Sequence, residues 1–579
     1  MATRKRRCLL IAYLLLSILV ITDCEGIPFL SSRSANAPPL SPPINAEILE
    51  HRGLGTLAKP GPWRDITQLI GYGDRLWFAN SVTGINHNSA DIYSYDPTTQ
   101  ATRYEQHLFS QDAGTPVVAD GLLYWPFEDP RFSADRGEYM VTNSVQWQWR
   151  VLPQGEAFHV HTMVTHQKAL FAGTGAWAAG LQRSRDLGRS WEVVYTHPTP
   201  PRQVSRLTTL ATLTENLYGG FTALQSQDSQ LSRWDGQTFQ AVSTWPPGKR
   251  VQDLTAFDGW LYGINHNLDD SFTLWRTDGD QAEAVSALAE YRIRALAASE
   301  TGLWAISNEP ALLWHSANGL DWTAVHQFTE VQPLDVAVFQ GQVYVGGRDQ
   351  DQQGILLGSQ LTEPLTGPLA RSSSGDHSSP ANLPPSLPSA PLVSSEVVAR
   401  ALKRLAPLLT TPVTYRGENT QNTLAQALLP LALSQTALAG EILSQQLQTI
   451  LPSVTANLFE NNVQEPAVDV AHWYILWAIG LNGQGQVPTE LLTQPWQTPA
   501  NAREKYWQTV PAAAWTAAQI GQDDQTTINV LVERLTHPDE PLWLKGDIVG
   551  ALSVLTGQDF GYDIDAWRNW QRRSLHTTD

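Results

Sequence analysis

Cysteine is nearly missing: the two in 579 residues are Cys8 and Cys24. Everything after position 24 therefore folds without an internal disulfide or a thiolate metal site, and does not depend on redox state. Basic residues are in deficit as well. Against 56 acidic residues stand 38 Lys and Arg, a formal net charge of −18, which disfavours a polyanion as the main partner. No nucleic-acid partner is expected. Charged residues are only 16% of the chain, and the apolar run Cys8 to Thr22 has 15 residues, short of the roughly 20 a spanning helix needs. What is plentiful is Trp (22), Gly (41) and Pro (37), a composition that suits turn-rich, aromatic-rich β structure and not disorder.

The start of the chain has the order of an export signal. Arg4, Lys5, Arg6 and Arg7 precede the uncharged run, as n-region and h-region. Three fates are open: cleavage, retention as an anchor, or lipidation on Cys24. Ile21-Thr22-Asp23-Cys24 resembles a bacterial lipoprotein box in placing Cys after the apolar run, with Asp23 where that family has a small residue. Ala35-Asn36-Ala37 matches A-x-A but lies far past the run and before Pro38. Residues 31–43, SSRSANAPPLSPP, are too polar and proline-rich to pack and read as a tether.

An internal repeat follows. A turn residue and an apolar-aromatic pair recur with marker aromatics Trp77, Tyr124, Phe171, Tyr218, Tyr262, Trp304 and Tyr344, at spacings of 47, 47, 47, 44, 42 and 40. That is the length of one four-stranded propeller blade, so seven markers predict a seven-bladed β-propeller. Strand-like runs such as Val251 to Phe257 precede each marker across a hairpin turn, and a second hairpin follows in most repeats. The last repeat supplies three clear strands, so Asn45 to His51 is expected to add the missing outer strand and close the ring.

Two of the second turns carry a motif. Ser184-Arg-Asp186-Leu-Gly188-Arg-Ser-Trp191 matches S-x-D-x-G-x-x-W, and Ser316-Ala-Asn318-Gly319-Leu-Asp-Trp322 is a shortened variant. Residues 47–361 thus resemble the BNR/Asp-box propeller superfamily, which is sialidase-like. The motif reads as a folding turn: Asp or Asn accepts turn amides, Gly supplies positive φ, and Trp packs between sheets.

From 366 to 395 the chain reads as an extended spacer rich in Ser and Pro. Beyond it the period becomes helical, with apolar runs at 397–408, 424–431, 442–451, 470–479, 512–520, 526–535, 542–555 and 565–572. Short helices punctuated by proline suit an α-solenoid. Pro541 to Thr556 resembles the second helix of a HEAT repeat, and the aromatic segment through Trp570 resembles the terminal cap of some bacterial HEAT-like proteins. A generic helical domain is the alternative.

Ligand candidates come from the predicted starts of the innermost strands, which line a propeller's central funnel: His159, His161, Arg206, Asp253, Arg294 and Asp335. Polar residues there also simply face channel water. His159 and His161 share one strand face, but no third metal ligand is evident and no H-E-x-x-H occurs, so no metal and no cofactor are expected. Gly84-Ile-Asn-His-Asn88 recurs as Gly263-Ile-Asn-His-Asn267, readable as a duplicated binding loop or as repeated turn chemistry.

The resemblance implies an exo-glycosidase mechanism with an arginine triad and a tyrosine nucleophile. The chain lacks the R-I-P motif of sialidases; neither Tyr291-Arg292-Ile293-Arg294 nor Asp129-Pro-Arg131 replaces it. The expected layout is a signal or anchor (1–24), a Pro/Ser tether (25–45), an all-β propeller (46–361), a linker (362–395) and an all-α HEAT-like domain (396–579). The expected role is a non-catalytic scaffold or assembly factor, exported to the periplasm or cell surface, membrane-anchored or secreted. It would bind protein partners through the propeller face and the helical domain. The alternative is a sialidase-like exo-glycosidase or a carbohydrate-binding propeller.

Overall fold

A computed structural model describes residues 53–82, 89–128, 130, 136–152, 158–176, 178–199, 203–223, 229–359, 386–387, 393–410, 418–458, 467–485, 487–497 and 509–576. The leader, Cys8, Cys24, the tether, most of the linker and the pentapeptide at 84–88 lie outside the described residues.

Strand β1 (Leu54–Ala58) is followed by repeated antiparallel meanders. The first comprises β2 (Asp65–Tyr72), β3 (Arg75–Ser81), β4 (Ala90–Asp96) and β5 (Ala101–Leu108); the second β6 (Val117–Ala119), β7 (Leu122–Pro126), β8 (Glu138–Thr142) and β9 (Trp147–Val151). Next come β10 (His159–His166), β11 (Ala169–Ala176), β12 (Gly180–Ser184) and β13 (Glu192–Thr196), then β14 (Ser205–Leu213), β15 (Asn216–Ala223), β16 (Leu231–Trp234) and β17 (Phe239–Ala241). Pairing of β11 with β14 joins these two meanders into one eight-stranded sheet. The remaining sheets are β18 (Arg250–Phe257) to β21 (Ala282–Ala284) through β19 (Trp260–His266) and β20 (Phe272–Thr277); β22 (Ile293–Ser299), β23 (Gly302–Asn308), β24 (Ala311–Ser316) and β25 (Thr323–Gln327); and β26 (Val331–Phe339), β27 (Gln342–Asp349) and β28 (Gly354–Ser359) with β1. Five four-stranded sheets and the eight-stranded one thus form a β-propeller. From β6 onward the first strands of successive meanders lie side by side, and β2 returns against β26.

Every marker aromatic falls on the second strand of its meander, the position buried on both faces; Tyr124, Tyr218, Tyr262 and Tyr344 are all fully buried. Apolar clusters fill the spaces between sheets, one of them uniting Tyr124, Tyr139, Leu170 and Trp191.

The ring closes a few residues later than expected. The outer strand beside β28 is Leu54–Ala58, with Leu54 opposite Ser359 and Ala58 opposite Leu356. Residues 45–51, assigned that role above, lie outside the described residues. Leu54–Ala58 lies close before β2, so a brief crossing carries the chain from the outer rim to the centre. The Lys59 ammonium, 2.6 Å from Asp349 on β27, pins that crossing.

The C-terminal part is helical: α1 (Ser395–Thr410), α2 (Glu418–Ser434), α3 (Ala437–Leu458), α4 (Ala467–Asn482), α5 (Thr509–Gln519), α6 (Gln525–Leu535), α7 (Leu542–Thr556) and α8 (Ile564–His576), with a short turn at Thr489–Thr493. All eight apolar runs read from the sequence fall within or overlap these helices. Asp524 caps α6 by accepting from the Thr527 amide at 3.0 Å, and Gly557 ends α7 in the left-handed conformation. Among the described residues no helix is long and apolar enough to cross a membrane.

Candidate functional site: the inner ring and the domain seam

A β-bulge interrupts β2, β10, β14, β18, β22 and β26 near the middle or start of the strand. A bulge leaves one residue outside the ladder and turns its side chain out of the regular pleat. His161, Asp253 and Arg294 are such residues, and Asp335 adjoins one. All six funnel candidates sit on the first strands of their meanders, and they separate into two groups.

In the first group the rings of His159 and His161 stack 5.2 Å apart, with His159 Nδ1 on the Glu128 carbonyl. Burial, then the charge of Arg206, pushes the His159 pKa down to about 3; burial, His159 and Arg206 hold His161 well below the ordinary imidazole value. Burial thus favours the neutral form of both imidazoles. Glu128 Oε1 is 3.8 Å from His161 Nδ1, and His166 lies at the far end of β10 against Phe171. Among the described residues no three His, Cys, Asp or Glu side chains converge in a way that could hold a metal ion.

The second group is Asp253, Arg294 and Asp335, joined by Asp112, which the sequence reading missed. Its carboxylates fasten neighbouring sheets together. Asp335 Oδ2 accepts from the Leu69 amide at 2.8 Å, and Asp253 Oδ2 accepts from the Leu296 amide, each a backbone donor on the next first strand round the ring. Burial, reinforced by Asp335, raises the Asp253 pKa to about 8, while burial brings Asp335 and Asp112 each to about 6. Arg294 opposes all three shifts by its charge. Backbone bonds do similar work elsewhere in the ring, with Thr115 donating to His161 at 2.8 Å and accepting from Met163.

The motif turns are likewise bound into the fold. Ser184 Oγ accepts from Gly188 N, Asp186 Oδ1 accepts from Ser190 N, both at 2.8 Å, and Trp191 Nε1 donates to Tyr139 of the preceding sheet at 3.0 Å. In the second turn Asn318 Oδ1 accepts from the Leu320 and Asp321 amides at 2.9 Å, and Trp322 Nε1 donates to the Gly319 carbonyl. Gly188 and Gly319 have φ of 82° and 72°. The same turn chemistry recurs without the full motif at Asp96, Asn143, Asp235 and Asp278, each accepting an amide two or three residues on. In the second pentapeptide Asn265 accepts from Trp245 Nε1 and His266 stacks on Phe272 at 4.4 Å.

The most concentrated buried polar site lies where the helices meet the propeller rim. Helix α7 runs against the outer strand β5, and Gly546 and Gly550, one turn apart, permit the approach. A Cβ at Gly550 would stand 2.6 Å from the Cβ of His107. His107 Nδ1 is 2.8 Å from Asp91 Oδ1 of β4, and Nε2 is 2.9 Å from Asp547 Oδ1 of α7; none of the three side chains is exposed. Trp63 Nε1 and Tyr562 Oη each donate to Asp91 Oδ2 at 2.7 Å. Around this network the cores merge: Trp515 of α5 packs edge-on against Trp149 of β9 at 5.0 Å, and Trp77, Leu108 and Phe109 share one cluster with Leu428 and Trp477. Beside it a cleft of about 360 Å3 is lined by Tyr93, Tyr104, Asp559, Phe560 and Tyr562.

No family profile matches the sequence, and no curated protein matches it. Among solved structures, the chain is similar to the β-propeller domain of the trilobed protease from Pyrococcus furiosus, at 9% identity over 53% of this chain and 100% of that one, with a TM-score of 0.37. The Pan2 WD40 domain of Neurospora crassa gives 11% identity over 54% and 100%, with a TM-score of 0.36. A chain of the mitotic checkpoint complex gives 10% over 57% and 98%, with a TM-score of 0.37. These are likenesses of fold, and the sheet order above carries the assignment without them.

Proposed function

We propose that this chain is a non-catalytic protein-interaction scaffold or assembly factor, held outside the cytoplasm by its N-terminal segment. The observation that carries the reading is the seam: a buried ionic network and a shared aromatic core fix the helices against the propeller rim. Two surfaces in fixed relation suit the holding of partners, and helical repeats and propellers both commonly present such surfaces. The use of Asp253 and Asp335 as latches between strands supports the same reading, since it takes two funnel carboxylates away from ligand chemistry.

In this reading the propeller has seven blades, the eight-stranded sheet counting as two and β1 completing the last. Its Asp-box turns mark kinship with the BNR/Asp-box superfamily, and α7 with α8 forms a HEAT-like pair. The domain limits proposed above stand with it. The charged start, apolar run and polar tether support export with membrane attachment, lipidation of Cys24 being one route.

The test uses the full chain with its leader, tagged, cross-linked in cells and solubilised from membranes. A partner recovered in stoichiometric amount at the same place on the propeller face or helical surface is expected. Turnover of a fluorogenic sialoside by the purified chain, or recovery of the chain alone, would contradict the proposal.

A further inference from the structure

We propose that His107 is a proton-dependent latch between the propeller and the helices, closed while its imidazole carries two protons and weakened when it loses one. The geometry requires two donors from one ring. Nδ1 faces Asp91 at 2.8 Å and Nε2 faces Asp547 at 2.9 Å. A neutral imidazole offers one donor and one acceptor, and a carboxylate cannot donate. The neutral ring would therefore set a lone pair against one of two carboxylates in a site with no solvent exposure. With both side chains ionised, only the imidazolium satisfies both, and the two carboxylates sit on different domains, 456 residues apart in the chain.

Trp63 and Tyr562 donate to the other oxygen of Asp91, so that carboxylate is already held in place. The titratable groups that face the site are Asp91 and Tyr93 on β4, Tyr104 on β5, Asp547 on α7, and Asp559 and Tyr562 in the turn before α8. Burial, with the charge of Asp91, drives Tyr93, Tyr104 and Tyr562 well above the usual phenol range, so the tyrosines stay neutral while His107 titrates. Phe109 closes the remaining side edge-on to the imidazole at 4.8 Å. Burial alone pulls His107 down, but the hydrogen bonds to Asp547 and Asp91 and their charges outweigh it and the pKa is raised. The sign follows: the latch contributes fully below the ordinary imidazole value of about 6.5 and is lost as pH rises through the raised one.

The experiment measures the urea unfolding midpoint of the full chain at intervals from about pH 6 to pH 9, for the native protein and Asp547→Asn. With Asn at 547 a neutral His107 can donate to Asp91 and accept from the amide, so the second proton is no longer needed. The native midpoint should fall across this range, and Asp547→Asn should make that fall smaller. Groups in the inner ring such as Asp253 titrate in both proteins and cancel in the comparison. If Asp547→Asn does not fold, His107→Gln, which carries no titratable proton, should flatten the profile in the same way. A variant profile parallel to the native one overturns the latch and leaves the scaffold reading untouched.

Discussion

Replacing Trp515 with alanine separates a welded molecule from two loosely joined domains. The indole is 1% exposed on α5, lies 5.0 Å from Trp149 and 6.1 Å from Phe109, and so joins the helices to β9 and to the segment after β5. Truncating a buried Trp costs about 3–5 kcal/mol, and each edge-on aromatic pair contributes about 0.5–1.5 kcal/mol of it, so about 4 kcal/mol is expected. The resulting shift in Tm depends on the size of the unit that melts. With an unfolding entropy of about 2.1 cal/mol/K per residue, a unit of about 490 residues spanning 53–359 and 393–576 loses roughly 4 °C. A helical part melting alone, about 180 residues, loses roughly 10 °C, and the propeller loses nothing. Hydrogen exchange by mass spectrometry along a thermal ramp reads the two separately, using peptides from β14–β20 and from α4–α8. Equal, small shifts in both support the weld. A large shift confined to the helices refutes it.

The inner ring makes a prediction with its own sign. The Asp253 pKa is raised to about 8, so its contribution to stability falls as pH climbs from the acidic range through that value. Asp253→Asn keeps an oxygen for the Leu296 amide and should raise the unfolding midpoint more at pH 8 than at pH 5; an equal change at both would show that ionisation is not the cause. Ring closure is tested by removing β1. Deleting 53–58 strips the partner from β28, exposes a strand edge, and should lower Tm and promote concentration-dependent association in light scattering. An unchanged Tm would mean that the strand is dispensable.

The propeller was legible because each marker aromatic sits on a strand buried on both faces, where the requirement for a large apolar side chain overrides local variation. The eight helical runs were legible for the same reason, their periodicity being imposed by an apolar core. The bulges of the inner strands left no such pattern, since a bulge changes pairing without changing composition, and the latching roles of Asp253 and Asp335 stayed hidden with them. Four of the turns built on Asp or Asn were overlooked because Asp96, Asn143, Asp235 and Asp278 lack the Trp that completes the motif. His107 was overlooked altogether: its partner lies 440 residues away, and nothing within β5 distinguishes it. One signal was available in α7, where Gly546, Asp547 and Gly550 put a carboxylate on a helix face kept bare enough to meet another backbone.

The weld on which the scaffold reading rests is tested most directly by cutting the chain between its parts. A specific protease site placed within 371–385 allows the folded full-length protein to be nicked and passed through size exclusion under native conditions. Both fragments should elute together at the volume of the intact 63.9 kDa chain, and separate only in denaturant. Two peaks in native buffer, a propeller and a free helical fragment, would contradict the account.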